Sequence, residues 1–235
     1  MLVAEPIAPA LGDPIATSVA VATWATAIAL PPAVALGWVL ARREFTGKAV
    51  VSALLFAPMV LPPVVTGMLL LRLLGRNGPL GPWLEALGIA IPFSFAAAVL
   101  AATVVGFPLL VMSVRAAFAA VDPRYDALAA TLGDGPWARF RKVVLPLSWP
   151  GIAGGAVLMF ARALGEFGAT IVLAGDSDDA RTIAIAIYAL LDHPRHQAEV
   201  TRLAGASVLL SLVALVAYER FVRWQRRRLQ WDDGA

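Results

Sequence analysis

The chain of 235 residues contains no cysteine and only two histidines, His193 and His196. The lack of cysteine excludes disulfides, thiolate metal sites and a cysteine nucleophile, and two imidazoles leave little scope for metal or acid–base chemistry. Charged residues are also scarce, at 15% of the chain, whereas a soluble domain carries about 25%. The net charge of +3 is too small to indicate a nucleic-acid-binding surface. This composition therefore argues against a soluble metal-dependent enzyme and against a nucleic-acid-binding protein.

Hydrophobic residues make up 60% of the chain, and they occur in long runs. A helix needs about 20 apolar residues to cross the hydrocarbon core of a membrane, which is about 30 Å thick. The sequence therefore predicts an all-α fold, a polytopic membrane bundle of five transmembrane helices within residues 15–221. The five runs lie at residues 15–40, 49–74, 89–113, 147–173 and 203–221.

The basic residues are distributed unevenly between the segments that flank these runs. Residues 41–48, 114–146 and 219–235 hold 13 of the 19 lysines and arginines. Loops rich in lysine and arginine stay in the cytoplasm, so these segments are expected on the inside. The N-terminal segment 1–14 is then extracytoplasmic, and residues 222–235 form a cytoplasmic basic tail. An N-terminus outside and a C-terminus inside require an odd number of spans, in agreement with five.

The predicted cytoplasmic loop 122–146 has the pattern of two short helices rather than of a passive connector. Asp122 followed by proline is a typical helix start, and Gly133 stands where a left-handed helix end is favoured. A second short helix is expected to follow and to end at Pro146. A protruding helix with an apolar face is suited to binding by another protein, although its spacing is equally compatible with a helix lying on lipid headgroups. The apolar face consists of Tyr125, Leu128, Ala129 and Leu132.

The same loop resembles the EAA loop in the permease subunits of binding-protein-dependent ABC importers. Ala129, Gly133 and the Leu145-Pro146 pair match that pattern at its spacing. The glutamate of the pattern is absent, and Asp126 offers a carboxylate nearby. The resemblance implies that the loop couples the chain to an ATPase through Asp126, Ala129, Leu132, Gly133, Leu145 and Pro146.

Three further segments, residues 41–48, 61–67 and 161–170, resemble those of molybdate ABC transporter permeases. Together with the length and the five runs, this resemblance covers nearly the whole chain. It implies a type I ABC importer permease, a multi-pass subunit of the cell inner membrane that forms the translocation pathway for molybdate. Sulfate permeases share much of the pattern but tend to be longer, so sulfate and tungstate are the alternative substrates.

The resemblance also implies the partners of the chain. These are a second copy of itself, two ABC ATPase subunits, a periplasmic or extracellular oxyanion-binding protein and the membrane lipid. The chain has no Gly-x-x-x-x-Gly-Lys-[Ser/Thr] loop to hold ATP phosphates. ATP and Mg are therefore expected on the partner ATPase, and this subunit is expected to be non-catalytic, without a cofactor, metal or nucleic acid of its own.

Polar residues inside the predicted spans are candidates for the translocation pathway. Arg162 and Glu166 are four residues apart and are expected on one helix face. Charges at this depth usually face water or the bundle interior. The two residues therefore either line the pathway as part of a gate or form a mutually neutralising pair that fixes packing, which we favour. Thr66 and Thr170 offer hydroxyl donors to an oxyanion, although such hydroxyls more often bond to carbonyls of their own helix.

The last two predictions concern the outer loop and the class of transporter. In the outer loop 174–200, the acidic run from Asp176 to Asp179 and the segment from His193 to His196 are expected to be solvated rather than to bind a metal. A stand-alone secondary carrier or channel is the alternative function, and it would show an internal repeat and buried carboxylates for ion coupling. The sequence shows no repeat, and Glu166 is the only carboxylate well inside a predicted span. The importer subunit is therefore favoured.

Overall fold

The computed structural model describes residues 12–232, and the regular structure of these residues is entirely helical. The predicted all-α fold is confirmed. Most of the N-terminal segment 1–14 and the last three residues of the predicted basic tail lie outside the described residues. In chain order the helices are α1 (Gly12–Arg42), α2 (Lys48–Val60), α3 (Pro63–Leu74), α4 (Gly81–Ala86), α5 (Phe95–Ala119), α6 (Pro123–Thr131), α7 (Pro136–Arg139), a π-helical segment (Phe140–Val144), α8 (Leu145–Leu164), α9 (Gly168–Leu173), α10 (Ile183–Leu190) and α11 (Gln197–Asp232), with 3-10 turns at Asp178–Ala180 and Pro194–His196.

Four helices in the described chain are long and apolar enough to cross a membrane, and α2 with α3 makes a fifth span if that bent pair is counted as one. The predicted polytopic bundle is thus confirmed. The third span begins at Phe95 rather than near residue 89, because Ser94 caps it: the N–H of Ala97 donates to Oγ of Ser94 at 3.3 Å. The four unbroken spans are Pro14–Arg42, Phe95–Ala119, Pro136–Leu164 and Pro194–Arg220.

The second predicted span, residues 49–74, is broken into α2 and α3, which are bent by 113°. Two consecutive prolines, Pro62 and Pro63, follow Leu61 and withhold two backbone donors. A residue before proline is also driven out of the helical region, and Leu61 is extended, with φ −69° and ψ 143°. The predicted span is therefore made of two helices with a break between them rather than of one helix.

The fourth predicted span, residues 147–173, also breaks. α8 ends at Leu164, and α9 begins at Gly168. Glu166 lies in the break and accepts a hydrogen bond from the N–H of Ala169 at 2.9 Å, which satisfies a donor that the start of α9 leaves free. The predicted span therefore consists of two helices, because Glu166, two residues beyond the end of α8, caps the start of α9.

The prediction that Pro146 ends a short helix is wrong. α7, the π-helical segment and α8 form one continuous helix from Pro136 to Leu164. Proline in a regular α-helix clashes with the carbonyl four residues earlier. The π-helical segment widens the backbone just before Pro146, with the N–H of Leu145 donating to the carbonyl of Phe140. The fourth span and the second half of the loop 122–146 are consequently one element.

The core lies where α1, α5 and α8 pack together. Small side chains dominate it, with alanines repeated along the facing sides of α1 and α5. Small residues let helices approach closely. In lipid this close packing holds helices together, because an apolar side chain gains little hydrophobic free energy when it moves from lipid into the bundle. The buried alanines are Ala22, Ala25, Ala29 and Ala33 on α1 and Ala97, Ala98, Ala101 and Ala102 on α5.

The segment 174–200, predicted as an outer loop, contains helical structure that was not predicted. It contains α10, which buries Ile183, Ile185 and Ala186. The N–H of Ile183 donates to Oγ of Ser18 at 2.8 Å and ties α10 to α1. The apolar run that forms α10 is too short to be predicted as a membrane span. Its burial depends on α1, more than 160 residues away in the chain. α11 then continues as one helix to Asp232, past the predicted end of the last span at residue 221.

Candidate functional site

The loop 122–146 folds into a bent pair of helices that we call the elbow. Its first helix, α6, is capped by Asp122, whose carboxylate accepts a backbone N–H at 2.8 Å. Gly133 stands just beyond the end of α6, and its φ of 87° is a left-handed conformation that glycine adopts without strain. The N–H groups of Gly133 and Asp134 donate to two carbonyls of the last turn at 3.1 and 3.2 Å, the pattern of a Schellman motif. Local sequence is therefore sufficient to set the bend.

The predicted apolar face of α6 is divided between the interior and the surface. Ala129 is buried, at 6% exposure. Tyr125 and Leu128 are exposed, and Leu132 at the tip of the elbow is 80% exposed. Uncovered apolar side chains grouped on a protruding turn are typical of a protein-binding surface. The elbow thus presents such a patch on one side and rests on the bundle with the other.

Two ion pairs hold the arms of the elbow together. A guanidinium nitrogen of Arg139 lies 3.2 Å from Oδ2 of Asp126, and Nζ of Lys142 lies 2.7 Å from Oδ1 of Asp134. Partly exposed pairs of this kind contribute little stability, about 0–1 kcal/mol each. Their importance is geometric, because each joins a residue before the second helix to a residue on it. Asp126 therefore has a partner within the chain.

Aromatic side chains attach the elbow to the bundle. The ring of Phe140 lies 5.5 Å from that of Trp38 on α1, 6.1 Å from that of Phe118 on α5 and 5.5 Å from that of Trp137. Leu145 and Pro146 follow within the same continuous helix. The elbow is therefore continuous with α8 and, through Phe140, in contact with α1 and α5.

The two broken spans meet at their breaks, at a place that we call the junction. A Cβ on Gly67 of α3 would lie 2.7 Å from the carbonyl oxygen of Ala169 on α9, and a Cβ on Gly168 would lie 2.9 Å from Cβ of Pro63. These distances are shorter than real Cβ contacts, so α3 and α9 approach as closely as they do only because both positions are glycine. The junction consists of the first turn of α3, residues 165–167 and α9.

All four predicted pathway residues lie at or beside the junction. Glu166 is buried at 3% exposure and binds a guanidinium nitrogen of Arg162 at 2.8 Å as well as the N–H of Ala169. Glu166 lies beyond the end of α8, so the two charges pair across the helix end rather than along one intact helix. Thr170 and Thr66 are also buried, and Oγ1 of Thr66 has no hydrogen-bond partner within residues 12–232.

Sequence reasoning missed the contact between the two breaks. The signals for it are present: a double proline precedes Thr66, and glycine stands at 67 and at 168. Each signal predicts a local irregularity, but none says which other segment fills it. The aromatic attachment through Phe140 and Trp38 was missed for the same reason.

Comparison with known proteins gives the class to which this fold and site belong. The profile of the family described as binding-protein-dependent transport system inner membrane components matches residues 33–230. The chain therefore belongs to this family, and the expected class of permease and its place in the inner membrane are confirmed. Membership implies an ATPase and a binding protein as partners.

Two relatives in this family are similar over almost their whole length. The chain is 42% identical over 213 residues to the molybdenum transport system permease protein ModB of Escherichia coli (strain K12), covering 90% of this chain and 93% of that protein. It is 40% identical over 215 residues to ModB of Haemophilus influenzae, covering 91% and 92%. The resemblance to molybdate permeases is confirmed.

Solved structures agree on the fold. The chain is similar to a bacterial ABC transporter involved in the import of the acidic polysaccharide alginate, with a TM-score of 0.68 over 92% of this chain and 78% of that one, at 18% identity. It is also similar to the MetNI methionine ABC transporter in an inward-facing conformation, with a TM-score of 0.65 over 91% and 93% of the two chains, at 18% identity. The type I importer fold is thereby confirmed.

Proposed function

We propose that this chain is the membrane-spanning permease subunit of an ATP-driven molybdate importer. Identity of 40–42% to molybdenum permeases over nine-tenths of the chain supports the substrate class. The observation that carries the mechanism is the elbow: its apolar tip at Leu132 is uncovered, and the helix that follows the bend runs without interruption from Pro136 to Leu164, beside the junction.

The elbow is the handle by which a separate ATPase acts on the chain. Leu128 and Leu132 enter a cleft of the ATPase, and burial of two such side chains contributes about 1.5–3 kcal/mol each. When the ATPase subunits close on ATP, they displace the elbow, and the continuous helix carries that displacement to the junction. ATP and Mg stay on the partner, and this chain makes and breaks no covalent bond.

The junction lies beside the pathway of the anion. Glu166 caps the start of α9 and so stabilises the break between α8 and α9. It also neutralises Arg162, so the guanidinium does not bind a passing dianion tightly. The free hydroxyl of Thr66 supplies a neutral hydrogen-bond donor. Donors without strong positive charge let an anion leave as easily as it enters. Thr66 and Thr170 are buried in this conformation, so they become lining residues when movement of the junction exposes them to the anion, and Arg162 and Glu166 form the gate structure beside them.

A second copy of the chain covers the other side of the junction. Within the described chain α2 buries none of its residues, and Val60, beside the break, is 85% exposed. Irregular backbone at membrane depth is tolerated only where protein or a water-filled cavity surrounds it. A homodimer with the pathway between its two junctions meets that requirement, with the N-terminus outside, the C-terminus inside and the binding protein on the outer face.

Uptake by the reconstituted complex tests this function. The chain, its ATPase and its binding protein are placed in liposomes, and uptake of radiolabelled molybdate is followed with competing tungstate or sulfate. We expect uptake only with ATP and with all components, and competition that ranks the three tetrahedral dianions. Uptake by this chain alone, driven by an ion gradient, would instead make it a secondary carrier.

A further inference from the structure

A groove separates α1 from the elbow, on the side away from the exposed tip of Leu132. It is open, with a volume of about 840 Å³, within the range of about 300–1,000 Å³ that is typical of small-molecule sites. Its lower wall is apolar and comes from Pro31, Val34 and Ala35 of α1. Phe140 and Val144 face it from the other side.

The charged residues of this groove are concentrated at one end. Arg42, Arg43 and Arg139 line it, and Asp126 is the one carboxylate among the lining residues that the structure describes, which leaves two positive charges in excess. Arg42 donates to the carbonyl of Val121 at 2.8 Å, and Arg139 pairs with Asp126. The Nε atoms of Arg42 and Arg139 are buried and have no hydrogen-bond partner within residues 12–232. Arg43 is exposed, so its guanidinium group is the one most accessible to an anion in the groove.

The groove changes from apolar at one end to charged at the other, as does the boundary between a membrane and water. Residues 31 and 42 are separated by about 16 Å along α1, at about 1.5 Å per residue. The lower end lies at the level of the apolar span, and the upper end lies at Arg42, where the span stops. Trp38 and Trp137 line the groove between these levels, and tryptophan is enriched where membrane meets water. A phospholipid combines an anionic headgroup with an apolar chain, so it can contact both ends of the groove.

We propose that one anionic phospholipid occupies this groove. Its phosphate lies at Arg43 and Arg42, and an acyl chain follows α1 past Val34. Basic pockets between transmembrane helices bind anionic headgroups in this manner. A lipid in this position touches both α1 and the elbow, and so it braces the elbow against the first span. Its binding requires only the folded chain in a membrane-like environment, so it can fail or succeed independently of the transport function.

Native mass spectrometry of the purified full-length chain in detergent tests this site. The probes are phosphatidylglycerol, phosphatidylcholine with the same acyl chains, and inorganic phosphate. Arg43 is exposed, with its guanidinium 5.8 Å from the ring of Trp38, so Arg43→Gln removes one charge without opening the core. Arg141→Gln is the matched control, because Arg141 is exposed on the π-helical segment but does not line the groove.

We expect the wild-type chain to retain phosphatidylglycerol in preference to phosphatidylcholine. Arg43→Gln should weaken retention about fivefold, the factor that corresponds to about 1 kcal/mol for one basic residue near an anionic surface. Arg141→Gln should leave retention unchanged, and Arg43→Lys should preserve most of it.

Three results would overturn the assignment. Equal losses for Arg43→Gln and Arg141→Gln would show non-specific attraction to basic residues. Displacement of the lipid by inorganic phosphate at comparable concentration would show that the acyl chain contributes nothing. Weaker association of Arg43→Gln with the ATPase, with lipid retention unchanged, would assign the groove to the ATPase instead.

Discussion

Glu166 uses one carboxylate for two contacts, with Oε1 accepting the N–H of Ala169 and Oε2 bound to Arg162. The sequence predicts the pairing of the two charges, because four residues separate them. It does not predict the cap on α9, because that contact exists only once the helix has broken. At the scale of the residue, the feature that the sequence does not predict is thus a side chain that accepts a hydrogen bond from the backbone.

Two substitutions at Glu166 separate these contacts. Glu166→Gln keeps an acceptor for the N–H of Ala169 and removes the charge, whereas Glu166→Ala removes both contacts. An unsatisfied buried donor costs about 1–3 kcal/mol, so we expect the free energy of unfolding of the alanine variant to be lower by that additional amount, which a lower apparent Tm in detergent reports. If the two variants lose the same stability, the ion pair is the stabilising contact and the cap is not.

Close packing at the junction is tested by adding one methyl group. In Gly67→Ala the new Cβ meets the carbonyl oxygen and Cα of Ala169 at 2.7 and 2.9 Å, and backbone atoms cannot move aside easily. We expect a loss of about 1–3 kcal/mol in the free energy of unfolding, together with reduced transport. Gly205→Ala on α11 is the control, because its Cβ would meet nothing within 4 Å. Equal tolerance of both changes would contradict the proposed contact of α3 with α9.

At the scale of the element, prediction succeeded where the cause is local and failed where it is not. The boundaries of α6 follow from Asp122 and Gly133, whose effects extend over one helical turn. Pro146 was misjudged because a π-helical segment accommodates it. The break at Pro62 and Pro63 was not predicted, and a double proline does not decide it alone, because Pro31 and Pro32 lie within the continuous α1. α10 was missed because its burial requires α1.

The bend of the elbow depends on the left-handed conformation of Gly133. A β-branched residue there is disfavoured by about 1–2 kcal/mol, so Gly133→Val should change the bend and abolish substrate-stimulated ATP hydrolysis in the reconstituted complex. Gly135→Val is matched to it: neither position has an atom within 4 Å of a new Cβ, but Gly135 is extended, with φ −68° and ψ 166°. We expect this control to remain coupled. Normal coupling in Gly133→Val, with normal assembly, would contradict the role of the bend.

At the scale of the whole molecule, composition and the placement of basic residues are enough to predict a polytopic helical bundle. They do not predict which faces of the helices meet. In lipid an apolar face toward a neighbouring helix and one toward acyl chains use the same residue types, so there is no amphipathic pattern to read. The exposed valines and leucines of α11 and the buried alanines of α5 differ mainly in size.

The central claim is that the tip of the elbow faces the cytoplasm and is gripped by the ATPase. Because the chain has no cysteine, Leu132→Cys and Leu87→Cys are each a unique label site, and both leucines are highly exposed. Inside-out vesicles stripped of ATPase are treated with a membrane-impermeant maleimide before and after the ATPase is added back. We expect Leu132→Cys to be labelled in stripped vesicles and protected by the ATPase, while Leu87→Cys is labelled only in right-side-out vesicles. Labelling of Leu132→Cys that is absent without ATPase, or unchanged with it, would contradict the account.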